Sequence, residues 1–193
     1  MSTFRPEFER ALALVAEASD VVAKGGYPRP ILVGGAAVEF YTGGVVTSGD
    51  FDFVTEAQAA FEAALIALGF RREDRAGHLL RGLYHPELDM GVEVVSGQLF
   101  DGLSDRSRLV LVDVRGHELR LPPVEDLIAD RMGQFNSSPA GVPAMLDQAA
   151  KLYLLASEID EAYLDRRIRD ETAGHYGLDF LKDHAHGLAS DHP

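Results

Sequence analysis

Val33-Gly34-Gly35-Ala36, followed after a spacer by Ser48-Gly49-Asp50-Phe51-Asp52-Phe53, is the stretch whose reading decides the fold. Ile31-Leu32-Val33 is a short apolar strand, Gly34-Gly35 breaks it, and Ala36 to Tyr41 reads as a helix opening directly after the glycines. Thr42 to Gly49 is a glycine-rich loop, and a second strand, Phe51 to Thr55, is entered at Asp50. On a strand, side chains at i and i+2 share a face, about 7 Å apart along the chain. Asp50 and Asp52 therefore aim two carboxylates in one direction while Phe51 and Phe53 face the core. Such a pair suits a hard cation, since Mg2+ commonly takes one or two carboxylates together with substrate phosphates. Two metals about 4 Å apart would stabilise both the attacking and leaving oxygens of an in-line phosphoryl displacement. From the other side, glycines at a strand-to-helix junction present backbone N–H groups without obstruction, and a helix N-terminus favours an anion. Alone, Gly-Gly is an ordinary turn and Asp-x-Asp an ordinary solvated strand start. Their combination is far more specific.

Outward from this stretch, residues 4–23 carry Phe8, Ala11, Leu12, Val15 and Val22 at helical spacing, ended by Gly25-Gly26. Residues 57–69 read as a helix with Phe61, Ala64, Leu65 and Leu68 on one face, closed by Gly69. Strands are expected at 79–84, 88–95, 108–114 and 117–121, the last two joined as a hairpin at Arg115-Gly116. Pro122-Pro123 then changes the character of the chain. Helices are expected at 124–135, 142–158 and 161–173, followed by a polar tail. Mixed strands and helices first, helices only afterwards, imply an α/β (α+β) core over 1–121 with a C-terminal helical region, 122–193, packed on it.

The chain has 193 residues, 46% hydrophobic and 25% charged, which suits one ordinary globular domain with a small helical appendage. It has no cysteine, so disulfides and thiolate metal sites are excluded. No apolar run approaches the roughly 20 residues of a membrane span, and the N-terminus lacks a signal-peptide pattern; a cytoplasmic protein is expected. The formal charge of −13 shows no general nucleic-acid footprint. It reads as solubility, or in part as a cation site that must be filled before anionic substrates approach.

The Gly-Gly…Asp-x-Asp pattern resembles the signature of the nucleotidyltransferase superfamily. The likeness extends to its minimal and toxin-like bacterial branches, through Thr47-Ser48-Gly49-Asp50-Phe51-Asp52, Leu68-Gly69-Phe70, His85-Pro86, Val92-Glu93-Val94 and the segment Glu125 to Arg131. It spans roughly residues 30 to 170 and implies a mixed β-sheet core flanked by helices. It further implies transfer of a nucleoside monophosphate from a nucleoside triphosphate such as ATP to an acceptor hydroxyl, with release of pyrophosphate. Mg2+ or Mn2+ would be the cofactor, held by Asp50, Asp52 and a third carboxylate. The resemblance assigns that third position to Glu93, in its apolar-Glu-apolar setting, with Asp89 of the same parity in reserve. Without it, Glu93 reads as an exposed residue of an alternating strand. Gly34 and Gly35 would bind the nucleotide. Ala36 stands where some catalytic branches carry a phosphate-binding serine, leaving Ser48, Thr47 or backbone alone for that task.

Arg131 borders the apolar stripe Val124, Leu127, Ile128, Met132, Phe135 of its helix; it either snorkels to solvent or reaches the triphosphate, and the resemblance favours the phosphate. Asp147 and Lys151 read as a surface i, i+4 pair, with Lys151 a lesser nucleotide-contact candidate. His175, His184, His186 and His192 read as a solvated tail, and no nucleophilic triad is supported. Arg71, Arg72 and Arg75 form a solvated turn or a local RNA-binding patch. The acceptor is expected to be RNA or protein, and a toxin-like member would have an antitoxin partner. The competing reading is a catalytically weak module of this fold that binds nucleotide or a partner protein.

Overall fold

The computed structural model describes residues 4–72, 82–137 and 141–191. In chain order the elements are α1 (Pro6–Lys24), β1 (Ile31–Val33), α2 (Gly34–Tyr41), β2 (Asp50–Val54), α3 (Gln58–Ala67), β3 (Arg71–Arg72), β4 (Gly82–His85) and β5 (Met90–Ser96). There follow β6 (Val110–Val114), β7 (His117–Leu121), α4 (Val124–Asn136), α5 (Pro143–Leu155), α6 (Glu161–Glu171) and α7 (Leu178–Asp191). The chain separates into two compact units, Met1–Glu39 with Thr47–Pro122, and Phe40–Val46 with Pro123–Pro193.

The first unit is built on a seven-stranded mixed sheet in the order β3-β4-β5-β2-β1-β7-β6. β1 runs antiparallel to β2 and parallel to β7, and β2 runs parallel to β5. Helix α1 starts well because Pro6 pre-sets the first turn, and its charges suit the helix dipole, with Glu7 and Glu9 first and Lys24 last. Its apolar stripe buries Phe8, Ala11, Leu12, Val15 and Val22. Phe8 stacks on Phe51 of β2 at 5.1 Å between ring centroids, and Phe53 meets Phe61 of α3 edge-on at 4.7 Å. The apolar half of the Asp-Phe-Asp-Phe alternation thus anchors β2 in the core, leaving the aspartates on the other face. At the end of α1, Asp20 accepts hydrogen bonds from Arg29 Nη1 and from the Glu118 amide at 3.3 Å, and its second oxygen lies 3.1 Å from His117 Nδ1. Burial pushes this carboxyl up. The bonds with Arg29, His117 and the Glu118 amide outweigh burial and hold it below the usual carboxylate range.

The second unit contains α4 to α7, with α4 packed on α5 and α6, and α5 on α7. Its core is largely apolar, with Leu127, Ile128, Met132, Leu164 and Ile168 buried, and it encloses one ionic cluster. Arg167, 1% exposed, donates from Nε to Asp126 at 2.7 Å and from Nη2 to Glu171 at 2.7 Å, while Tyr163 donates its hydroxyl to the same Asp126 oxygen at 2.9 Å. Burial, reinforced by the charge of Glu125, pushes the Tyr41 phenol well up.

Several expectations are corrected. The expected polar tail is largely helix α7: Leu178, Leu181 and Ala185 form a thin buried stripe that a high density of charges conceals. His184, expected in solvent, lies 2.8 Å from Asp147, which makes that contact in place of the expected bond to Lys151. His175 lies 3.2 Å from Asn136 Oδ1. Helix α5 stops at Leu155, three residues early, because Ala156 is extended, and α6 stops at Glu171. β5 starts at Met90, since Leu88 and Asp89 belong to a turn in which Asp89 takes φ 51°. Arg71-Arg72 is a short edge strand rather than a turn, and Arg72 is paired to Glu62 at 2.5 Å. Residues 79–81, Arg75 and His192 lie outside the described residues. The hairpin does turn at Arg115-Gly116, both at positive φ.

Two outcomes follow for stability. Arg167→Ala leaves the Asp126 carboxylate buried without its cation and should cost about 3–5 kcal/mol in urea unfolding, whereas Arg167→Met with Asp126→Leu should recover most of that loss. Because the Asp20 carboxyl is depressed, its contribution is fully present above the unfolded value of about 4 and fades as pH falls through the lower folded value. Asp20→Asn should therefore lose about 1–3 kcal/mol at pH 7 and show a shallower loss of stability below about pH 4, read from unfolding curves across that range.

Candidate active site

The expected carboxylates lie on neighbouring strands. Register between β2 and β5 sets Asp50 opposite Gly91 and Asp52 opposite Glu93. On the other side of β2, Asp52 pairs with Val33, the last residue before the glycines. Parity does the rest: the flanking Phe51, Phe53 and Val92 are buried at 0%, 0% and 3%, whereas Asp52 and Glu93 are half-buried and Asp50 is exposed. Asp50 Oδ1 accepts from the Gly91 amide at 3.1 Å, which fixes one oxygen of an otherwise exposed side chain. Asp89, the reserve candidate, is set apart from this row by its turn, where it accepts from the Tyr84 hydroxyl at 3.0 Å.

The two glycines are required by what lies over them. Gly34 has φ +65°, and a Cβ there would stand 2.0 Å from Asp52 Oδ2. A Cβ on Gly35 would stand 2.8 Å from Ser48 Oγ. The first turn of α2 is thus bare backbone, with the Asp52 carboxylate on one residue and the Ser48 hydroxyl on the next. Ala36 is fully buried and brings no hydroxyl to this turn, so Ser48 supplies the one beside it. Ser48 Oγ itself donates to the Asp50 carbonyl at 2.8 Å. Thr47 is exposed.

Gly34, Gly35, Ser48, Asp50, Asp52 and Glu93 are therefore gathered around one end of β1 and β2. Their donor set is hard oxygen, the chemistry Mg2+ or Mn2+ requires. No group of three or more His, Asp or Glu is drawn up to metal-ligand spacing among the described residues, so the three carboxylates form an open row rather than a finished cage. An open row still fits Mg2+, which takes part of its shell from substrate phosphates and water.

Arg131 belongs to the second unit, where it is buried at 5% exposure rather than snorkelling. Its Nη1 donates to Gln134 Oε1 at 2.9 Å and lies 3.5 Å from Met145 Sδ, its Nη2 is 3.6 Å from Asp130, and its buried Nε has no hydrogen-bond partner. Burial, only partly offset by Arg131, Gln134 and Arg167, raises the Asp130 carboxyl.

The architecture is similar to that of solved structures. A nucleotidyltransferase-like protein from Paracoccidioides brasiliensis, described as antigenic, superposes with a TM-score of 0.60 at 13% identity, over 91% of each chain. The antibiotic-resistance factor ANT(2'')-Ia matches in its solution structure with a TM-score of 0.55 at 15% identity, over 92% of this chain and 98% of that one. This chain has a nucleotidyltransferase-like fold. The crystal structure of ANT(2'')-Ia in complex with adenylyl-2''-tobramycin also matches, with a TM-score of 0.56 at 13% identity over 86% and 99% of the two chains. No family model and no curated protein matches the sequence.

The Ser48 amide also donates to Glu39 Oε2 at 2.6 Å, a contact that was not legible in the sequence. Glu39 occupies a fully buried position on α2, an element that sequence patterning reads as apolar. A charged residue inside an otherwise apolar eight-residue helix was the one available signal.

Two glycine substitutions separate backbone strain from crowding at the site. Gly26 also has positive φ, but a Cβ there meets nothing within 4 Å. Gly34→Ala should therefore be destabilised by about 1–3 kcal/mol more than Gly26→Ala in urea unfolding, because only at Gly34 must the Asp52 carboxylate be displaced. Equal losses would mean that Asp52 does not rest on this glycine.

Proposed function

We propose that this protein is a metal-dependent nucleotidyltransferase, moving a nucleoside monophosphate from a nucleoside triphosphate to an acceptor hydroxyl. The observation that carries this reading is the row Asp50, Asp52 and Glu93 on adjacent parallel strands, with Asp52 resting on the glycine turn at the start of α2. In this reading Asp50, Asp52 and Glu93 would hold Mg2+ or Mn2+, which would supply charge neutralisation for the triphosphate and Lewis acidity for the acceptor hydroxyl. The bare amides of Gly34 and Gly35 and the Ser48 hydroxyl receive phosphate oxygens. The acceptor oxygen bonds to the α-phosphorus as the bond from that phosphorus to the pyrophosphate oxygen breaks. The hydroxyl proton passes to a carboxylate of the row or to water, and pyrophosphate leaves with the electron pair.

The fold neighbours support the reaction class. One of them is held with adenylyl-2''-tobramycin, an adenylyl group joined to an acceptor molecule. For this chain the acceptor is proposed to be a hydroxyl of RNA, of a protein or of a small molecule. A toxin-like member, kept in check by an antitoxin, would use one of the first two. The second reading is a module of the same fold that binds nucleotide without turnover, favoured by Ala36 in place of a phosphate-binding serine.

The test is incubation with radiolabelled ATP, CTP, GTP or UTP and Mn2+ in the presence of cell extract, purified RNA or tobramycin. Transfer of label to one acceptor class, reduced at least 100-fold by Asp52→Ala and by Glu93→Ala, is the expected result. Nucleotide and Mn2+ binding without transfer selects the binding module. If Asp52→Ala alters neither binding nor transfer, both readings fall. Expression that arrests growth, relieved by Asp52→Ala, identifies the toxin-like form.

A further inference from the structure

An ion pair that none of the proposed chemistry uses, with its carboxylate buried and its guanidinium partly exposed, lies next to the carboxylate row. Glu39, on α2 five residues beyond Gly34, has a side chain that is 0% exposed. An ionised carboxylate in such a place is costly unless it is fully bonded. Its partners come from two distant parts of the first unit. Arg5, the residue before α1, donates to Glu39 Oε1 from Nε at 3.3 Å and from Nη2 at 3.2 Å, and to Oε2 from Nη2 at 2.9 Å. The Ser48 amide donates to Glu39 Oε2 at 2.6 Å. Arg5 Nη2 also donates to the Ser48 carbonyl, again at 2.6 Å.

The peptide units on both sides of Ser48 are therefore gripped, the N–H by Glu39 and the C=O by Arg5. The Ser48 hydroxyl, standing over Gly35, donates to the Asp50 carbonyl. Charge-assisted bonds of this kind are stronger and more directional than neutral ones. They act on the end of the glycine-rich loop, immediately before β2. That loop would otherwise have the freedom to let the first aspartate wander.

We propose that Arg5 and Glu39 form a positioning clamp that fixes the loop at Ser48, and through it the placement of Asp50 beside Asp52, for metal and nucleotide binding. The inference rests on the function proposed above and extends it to two residues outside the metal and phosphate site. Neither residue touches the reacting groups; both act through Ser48. Arg5 lies in the segment that enters α1, so the N-terminal end of the chain becomes part of the site's support.

The test compares the full chain with Arg5→Ala, Arg5→Lys and Asp52→Ala. Two quantities are measured on each: amide hydrogen exchange resolved by residue, and the affinity for Mn2+ with a non-hydrolysable ATP analogue. For Arg5→Ala, exchange at Ser48 to Asp50 should rise about tenfold while the amides of Leu32 and Phe53 in the core keep their protection. Binding of Mn2+ and the analogue should weaken about fivefold or more. Arg5→Lys, which keeps the charge but cannot span both Glu39 and the Ser48 carbonyl, should fall between. Unchanged exchange at Ser48 overturns the clamp. So does loosened exchange with wild-type affinity in Arg5→Ala, provided Asp52→Ala abolishes binding. If Asp52→Ala leaves binding intact, the proposed function has failed, and the clamp as a support for that site falls with it. Global loss of protection in Arg5→Ala, including Leu32 and Phe53, makes the pair a general stabiliser and also overturns the proposal.

Discussion

The close approach of the Asp52 carboxylate to the Cα of Gly34 is the constraint around which the site is built. It exists because β1 and β2 are antiparallel neighbours in a register that sets Asp52 beside Val33, and because the chain turns into α2 at the very next residue. A side chain at position 34 would occupy the space the carboxylate fills. The parallel pairing of β2 with β5 then adds Glu93 to the same row. The hydrophobic side of β2 maintains this arrangement. Phe51 and Phe53 are locked between α1 and α3, and a slip of one residue would carry both aromatic rings out of the core and both aspartates into it. Core packing and site geometry are thus opposite faces of one strand.

Much of this was readable in the residues, for a definite reason. Period-two alternation in Asp50-Phe51-Asp52-Phe53 has one reasonable solution once an apolar core exists, and the glycines mark where a strand must end. Glu93 was assigned through resemblance, and the β2–β5 register puts it opposite Asp52. Asp89 shares its parity, yet a left-handed backbone places it in a turn. Parity holds only inside a strand.

What escaped reading depends on contacts between residues far apart in sequence. Nothing near Glu39 announces that Arg5 and the Ser48 amide will meet it, since both partners arrive through tertiary folding. The same holds for the ionic cluster buried in the helical unit, where Asp126, Tyr163 and Arg167 are spread over two helices that local pattern reads as ordinary amphipathic segments. Helix α7 escaped for the opposite reason. Its buried stripe is only a few residues wide, and the surrounding Asp, Lys and His residues dominate the composition of the segment. Arg131 looked able to extend to water from its border position, but the packing of α4 encloses it.

One of the two edge strands of the sheet, β6, has a consequence for handling the protein. Among the described residues β6 pairs with β7 alone, and its leading residues Val110 and Leu111 are 36% and 48% exposed. Apolar side chains on an open edge are the usual seed for sheet-to-sheet self-association. The exposed Asp113 is the charge within the strand itself. In a chain whose overall charge is strongly negative, repulsion between copies opposes such contact, and salt that screens the repulsion removes that barrier at the β6 edge.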